Sequence, residues 1–197
     1  MDKETLISCV DEVVSAGLEG KGETNPSCTE VATSCVEESE GVCEYDITDE
    51  DHRYMRIALD LARQAAEIDE VPVGAIVVKD GEIIAAAYNT REHSKCATHH
   101  AEVLAIEQAC RKLGGWRLVG STLYVTMEPC AMCAGAIINA RLPRVVYGAR
   151  DIRFGAFGSL IDLAELPLNH KPEIRPDVLG DEAREMLSSY FRKKRGK

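Results

Sequence analysis

At 197 residues the chain has room for one full domain with a real core plus an appendage, and its 45% hydrophobic residues mark it as globular. No apolar run reaches the length of a membrane span, so no membrane association is expected. The front of the chain is acidic, with neither a basic start nor a long apolar stretch of the secretory kind; a cytoplasmic, reducing location is therefore expected, and the eight cysteines are not read as a disulfide framework.

The formal charge of −10 looks unsuited to a nucleic-acid binder until it is divided along the chain. Residues 1–46 hold twelve of the 33 acidic residues and two of the 23 lysines and arginines, which leaves 21 of each sign for the rest. This acidic front, with Ser, Thr and Gly and little apolar periodicity, cannot bury enough surface to fold, so residues 1–47 are expected to be a disordered extension. Its Cys9, Cys28, Cys35 and Cys43 are too irregularly spaced for a known zinc clip. A globular domain would then occupy residues 48–197.

That domain opens at Thr48, where a hydroxyl followed by Asp49, Glu50 and Asp51 signals a helix start ahead of Met55, Ala58, Leu59, Ala62 and Ala66. Val73 to Lys79 and Glu82 to Tyr88 read as a hairpin turning at Asp80-Gly81. A helix over Ala101 to Lys112 stops at Gly114-Gly115 and carries Val103, Leu104, Ile106 and Ala109 near helical spacing. Leu123 to Thr126 is a strand, a helix starts around Pro129-Cys130, Val145 to Tyr147 is another strand, and a last helix ends in Tyr190-Phe-Arg-Lys-Lys-Arg195. Strands alternating with helices predict an α/β fold.

The chemistry concentrates in His-Ala-Glu at His100 to Glu102 and Pro-Cys-Ala-Met-Cys at Pro129 to Cys133. Imidazole nitrogen and thiolate sulfur are zinc donors; a structural site closes with four of them, whereas a catalytic site keeps one position for water. His100, Cys130 and Cys133 make three, with the Glu102 carboxylate left over. Cys130 and Cys133 are three apart on one predicted helix face, Pro129 suits a first helical turn, and a helix N-terminus favours thiolate. Each motif alone fits a structural zinc clip or a capping histidine equally well. Together they match the His-x-Glu and Pro-Cys-x-x-Cys signature of zinc nucleobase deaminases. Cys96 and His99 stand near enough in sequence to be candidate fourth ligands.

The likeness continues through Val71-Pro-Val-Gly-Ala75, Tyr88-Asn89, Thr122-Leu-Tyr-Val-Thr126, Glu128-Pro-Cys130, Val146-Tyr-Gly-Ala-Arg-Asp151, Gly155-Ala-Phe-Gly-Ser-Leu160, Asn169-His170 and the aromatic-basic last helix. Over about residues 48 to 195 the chain resembles the tRNA-specific adenosine deaminases of the TadA type. The resemblance implies a three-layer α/β/α cytidine-deaminase-like fold with a mixed five-stranded sheet, a Zn2+ cofactor, a homodimer, and hydrolytic conversion of adenosine to inosine at the first anticodon position of a tRNA. In the implied mechanism zinc lowers the pKa of bound water for attack on the purine, and Glu102 shuttles the protons. The base must be exposed to react, and an anticodon loop presents one.

The resemblance also assigns substrate contacts. Asn89 would hydrogen-bond the target nucleotide, though an asparagine after a strand is equally ordinary turn chemistry. Asp151 would contact the sugar-phosphate chain, or else pair with Arg150 or Arg153. Val73, Met127 and Pro129 would wall the base pocket, and core packing also explains Val73 and Met127. Tyr190 and Phe191 beside Arg192, Lys193, Lys194 and Arg195 would stack an unpaired base and attract phosphate. The chain departs from the family where Asp-Pro-Thr-Ala-His-Ala-Glu becomes Cys96-Ala-Thr-His-His-Ala-Glu102: a proline is lost and His99 is gained, so the approach loop is expected to differ in rigidity. A small-molecule nucleobase or nucleoside deaminase of guanine or cytosine type shares the zinc motif and is the alternative enzyme. A zinc-stabilised RNA-binding scaffold is the alternative of another class, and the presence of Glu102 argues against it.

Overall fold

The computed structural model describes residues 48–196, and the acidic segment 1–47 with its four cysteines lies outside the described residues. Helix α1 (Asp49–Glu67) starts at the predicted place through a reciprocal cap. The Thr48 hydroxyl accepts from the Asp51 amide at 3.1 Å, and the Asp51 carboxylate accepts from the Thr48 amide at 3.2 Å. Strands β1 (Gly74–Lys79) and β2 (Glu82–Tyr88) form the predicted hairpin, with Asp80 and Gly81 at φ 51° and 78° as a two-residue turn of this hand requires. A short helix α2 (Arg91–Ser94) precedes α3 (Ala101–Leu113), which ends on Gly114 at φ 68°. Then come β3 (Ser121–Met127), α4 (Ala131–Asn139), β4 (Arg144–Ala149), β5 (Glu173–Arg175) and α5 (Gly180–Arg195).

The five strands form one mixed sheet in the order β2-β1-β3-β4-β5, with β1 antiparallel to both neighbours and β3, β4 and β5 parallel. Alternate residues face two cores. Ala75, Val77, Leu123, Val145 and Tyr147 point into the layer of α3 and α4, where Ala101, Ala105, Ala134 and Ile137 meet them. Ile76, Val78, Tyr124 and Val146 point into the layer of α1 and α5, against Met55, Leu59, Ala183 and Leu187. The expected three-layer α/β/α fold is the one observed. At Gly74 a Cβ atom would lie 2.1 Å from the Ala58 carbonyl oxygen, so only glycine lets β1 lie this close to α1.

The topology gathers the functional segments. Because β2 and β3 both oppose β1, they run parallel to each other and to β4. The chain therefore leaves β2 toward α3, β3 toward α4, and β4 toward the 150–160 loop, all from one end of the sheet. Carboxyl ends of parallel strands are where open α/β sheets place ligands.

Two elements escaped the sequence pattern, α2 and β5, at four and three residues too short to show a period. One expectation is corrected. Pro129 does not occupy the first turn of α4, because Cys130 is the N-cap, extended at φ −72°, ψ 171° and bridged to Gly155, so that the helix starts at Ala131. Within α3, Ala105 and not Val103 faces the core. No described helix is long and apolar enough to cross a membrane.

At the opposite end of the sheet, Asp51 is 1% exposed and accepts from Tyr124 Oη at 2.9 Å and from both terminal nitrogens of Arg144 at 2.8 and 2.9 Å. Burial alone would raise this carboxyl, but the bonds from Arg144, Thr48 and Tyr124 outweigh it and hold the pKa at about 2. A depressed folded-state pKa stabilises above the unfolded value and is lost as pH falls through the folded one. Asp51→Asn should thus cost about 2 kcal/mol near neutral pH. In urea unfolding compared from pH 6 down to pH 2, the gap between variant and wild type should close between about pH 4 and 2; a gap that does not narrow would refute the assignment.

Candidate active site

His100 is the N-cap of α3, with extended backbone at φ −76°, ψ 152°, and its imidazole makes no capping bond, so the ring is free to turn toward α4. There its Nδ1 lies 3.7 Å from Cys130 Sγ and 3.6 Å from Cys133 Sγ. Zinc bonds of about 2.0 Å to nitrogen and about 2.3 Å to sulfur, at tetrahedral angles, set N···S separations near ~3.5 Å. The three donors fit that ion. Among the described residues they are the one cluster of this kind; Cys96 faces the Thr98 hydroxyl at 3.3 Å instead, and His99 does not join. A set of three donors is the open, catalytic type.

The three donors shift one another's protonation. Hydrogen bonding from Cys133 draws the Cys130 thiol down to about 4 against the effect of burial, with His100 adding to the fall. Its bond to Cys130 and burial push Cys133 up, and the bond to Cys130 likewise pushes His100 up. Glu102 stands in the first turn of α3, 4% exposed, in side-chain contact with Cys133. Burial raises its carboxyl, which moves it toward the range in which a group can both take and give a proton near neutral pH.

Asn89 enters the same region from the end of β2. Its amide N–H donates to the Val73 carbonyl at 2.9 Å, which sets Val73 beside it. Its Nδ2 donates at 2.9 Å to Glu70, whose other oxygen accepts from the His93 amide at 2.5 Å. A carboxylate only accepts, so Glu70 dictates which end of the Asn89 side chain points where. Asn89 is 6% exposed, and its order comes from Glu70 as well as from a turn. The approach loop is organised by backbone bonds: Cys96 N–H bonds to the Arg91 carbonyl, His99 N–H to that of Cys96, and Thr90 N–H to that of His99.

Asp151 is buried and accepts from the Arg153 amide at 2.9 Å, while Arg150 pairs with Asp177 at 2.8 Å, so the expected alternative of an Asp151–Arg150 pair is not what forms. Pro129 is buried and its carbonyl accepts from Ala156 N–H at 2.9 Å. Met127 is half-buried on the α1 and α5 side, where it packs against the core. Tyr190 and Phe191 lie on α5, edge to face at 5.3 Å. The Tyr190 hydroxyl donates to the Asp69 carbonyl at 2.8 Å and Lys194 pairs with the Asp69 carboxylate at 2.7 Å, so this end of α5 is moored to the turn after α1, next to Glu70. Phe191 remains 36% exposed.

Sequence reasoning missed the roles of two buried carboxylates, Glu70 and Glu128, at 1% and 3% exposure. The available signal was an acid set in an apolar context, before Val-Pro-Val and between Met and Pro.

A three-layer fold with a His/Cys/Cys cluster and a buried glutamate at the carboxyl ends of its strands defines a deaminase of the zinc-site type. Comparison bears this out: residues 49–195 match the MafB19-like deaminase family. The chain is 48% identical over 149 residues to the tRNA-specific adenosine deaminase of Bacillus subtilis, which covers 75% of this chain and 92% of that protein. It is 42% identical over 147 residues to the protein of the same name from Haemophilus influenzae, covering 74% and 85%. A structure from a study of A-to-I editing by tRNA:A34 deaminases at the wobble position superposes with a TM-score of 0.66 at 43% identity, over 68% of this chain and 97% of that one. A guanine deaminase from Nitrosomonas europaea follows at 28% identity and a TM-score of 0.60, over 71% and 83%. The chain belongs to the MafB19-like deaminases and, among them, to the tRNA-specific adenosine deaminase family.

Adding zinc to chelator-treated protein should raise its melting temperature in a concentration-dependent way, as binding to the folded state alone must. Cys130→Ser should largely remove that rise; an equal rise in the variant would remove Cys130 from the ligand set.

Proposed function

We propose that this chain hydrolyses adenosine to inosine, with release of ammonia, at the first anticodon position of a tRNA, in a zinc-dependent reaction. The observation that carries the reading is Glu102, a buried carboxylate in contact with Cys133 of the three-donor cluster, in a chain 48% identical to a tRNA-specific adenosine deaminase. His100, Cys130 and Cys133 would hold the ion, which when bound supplies the Lewis acidity that lets water ionise near neutral pH. Glu102 takes a proton from the attacking water and passes it to the ring nitrogen beside the reacting carbon; it then takes the proton of the hydroxyl newly bonded to that carbon and delivers it to the amine, so that the C–N bond breaks and ammonia leaves as the C=O forms. Asn89, locked by Glu70, offers the remainder of its amide to the target nucleotide. Val73 and Pro129 wall the base beside it, whereas Met127 packs on the α1 and α5 side and serves the core. Asp151 meets the sugar-phosphate chain, where a 2′-hydroxyl contact distinguishes RNA from DNA. The end of α5 offers Phe191 for stacking, with Lys193 and Arg195 for phosphate; Tyr190 mainly moors the helix.

In this reading residues 48–197 are the deaminase domain and 1–47 an acidic extension, in a cytoplasmic protein. The domain pairs as a homodimer, and the exposed Ile152, Phe154, Leu160 and Ile161 of the loop after β4, at 78%, 64%, 56% and 46%, support such a contact. The likeness to a guanine deaminase keeps a small-molecule substrate as the second reading.

Zinc-loaded protein should form inosine on an anticodon stem-loop with adenosine at its first anticodon position. Glu102→Ala should keep zinc and fold while losing at least about 10²–10⁴ in rate. Rapid turnover of free guanine, cytosine, cytidine or adenosine with inert stem-loop would sink the tRNA assignment, and an active Glu102→Ala protein would sink the shuttle. Sedimentation at micromolar concentration should find a dimer that Phe154→Glu weakens; a monomer for wild type would remove the dimer.

A further inference from the structure

Glu128 lies directly between β3 and the Pro129-Cys130 segment, and its carboxylate takes no part in the chemistry above. It is nevertheless the most heavily hydrogen-bonded side chain at this end of the sheet. Oε2 accepts from the Asp151 amide at 3.0 Å and from the Ser159 hydroxyl. Oε1 accepts from the Phe157 and Ser159 amides at 3.1 and 3.0 Å. The loop wraps the carboxylate so closely that a Cβ at Gly155 would lie 2.4 Å from Glu128 Cδ. The same loop is stitched to the next two residues, by Ala156 N–H to the Pro129 carbonyl and by the Cys130 to Gly155 bridge. Three inward-facing backbone N–H groups and a hydroxyl make an anion nest, filled here by the protein's own side chain.

From this geometry we infer that Glu128 is a positioning residue that fixes the 151–159 loop, and Asp151 in particular, relative to the ligand Cys130. The inference rests on the reading of Asp151 as a contact to the RNA. An uncovered loop of this length would have to order itself each time substrate bound; anchored on Glu128, it meets substrate already ordered, and that saves binding free energy. The residue therefore acts on recognition through Asp151, while the ligands themselves are held by α3 and α4.

Glu128→Gln tests this, since it keeps the shape but replaces one acceptor oxygen by a donor. The Ser159 hydroxyl can turn to accept from the new NH2 group, whereas the Asp151 amide cannot. The amide therefore settles with its NH2 at the Oε2 position, and Asp151 is the residue released. Expected are one zinc per chain, and kcat/KM on the anticodon stem-loop at least about tenfold lower, chiefly through KM. Asp151→Ala should give a similar loss, and the double variant should be no worse than Asp151→Ala alone, as coupled residues behave. Ser159→Ala, which removes the one hydroxyl donor to the carboxylate and leaves all three amide bonds, should shift KM in the same direction by less, and it serves if Glu128→Gln does not fold. Losses that multiply in the double variant, kinetics within twofold of wild type for the single variants, or loss of zinc alongside activity would each overturn the inference. If wild-type protein forms no inosine on the stem-loop, it is the underlying functional reading that fails.

Discussion

The site depends on two helix N-termini meeting at one end of a sheet. His100 and Cys130 are both N-cap residues, with extended backbones that aim their side chains out of the helices instead of along them. Helix N-termini carry partial positive charge, which favours thiolate, and the Cys130 thiol is held well below its ordinary value. The donors then sit 3.6 and 3.7 Å apart across the gap between α3 and α4. Everything else at this end of the fold either holds those two helices in place or shapes what approaches them.

Burial divides the carboxylates into two kinds of work. Glu102 is buried against the His/Cys/Cys cluster, and burial raises it, which suits the proton-carrying role proposed for it. Glu70 and Glu128 are as deeply buried but are saturated by N–H and O–H donors, which suits fixed acceptors that arrange neighbouring chain. Asp51 is the same device at the other end of the sheet, where Arg144 and Tyr124 satisfy it and it ties the start of α1 to β3 and β4. A fold with its reactive groups at one end and its strongest ion pair at the other can change its approach loops without disturbing the core.

The approach loop illustrates that tolerance. The segment Cys96-Ala-Thr-His99 has no proline, and backbone bonds among Arg91, Cys96, Thr90 and His99 close the loop, with Glu70 bonded to His93. The additional His99 stays outside the ligand cluster. Hydrogen bonds within the backbone give this loop its order.

Local signals were enough to read the long elements from sequence. The Thr48 cap and the Asp80-Gly81 turn are short-range signals, and His100, Glu102, Cys130 and Cys133 stand out through the two compact motifs they form. Alternating strands and helices pointed to an α/β fold, and the two motifs, through their likeness to the deaminase signature, pointed to the residues that the fold then brings together. Tertiary structure alone decided the rest. It put Asn89 on Glu70 nineteen residues away and Asp151 on Glu128 twenty-three away. It also spent the Tyr190 hydroxyl on Asp69 and moved Pro129 out of the helix, because the bridge from Cys130 to Gly155 holds that backbone extended. Contacts of that range have no period and no motif: a buried carboxylate looks the same in sequence as an exposed one until the donors that satisfy it have been folded around it.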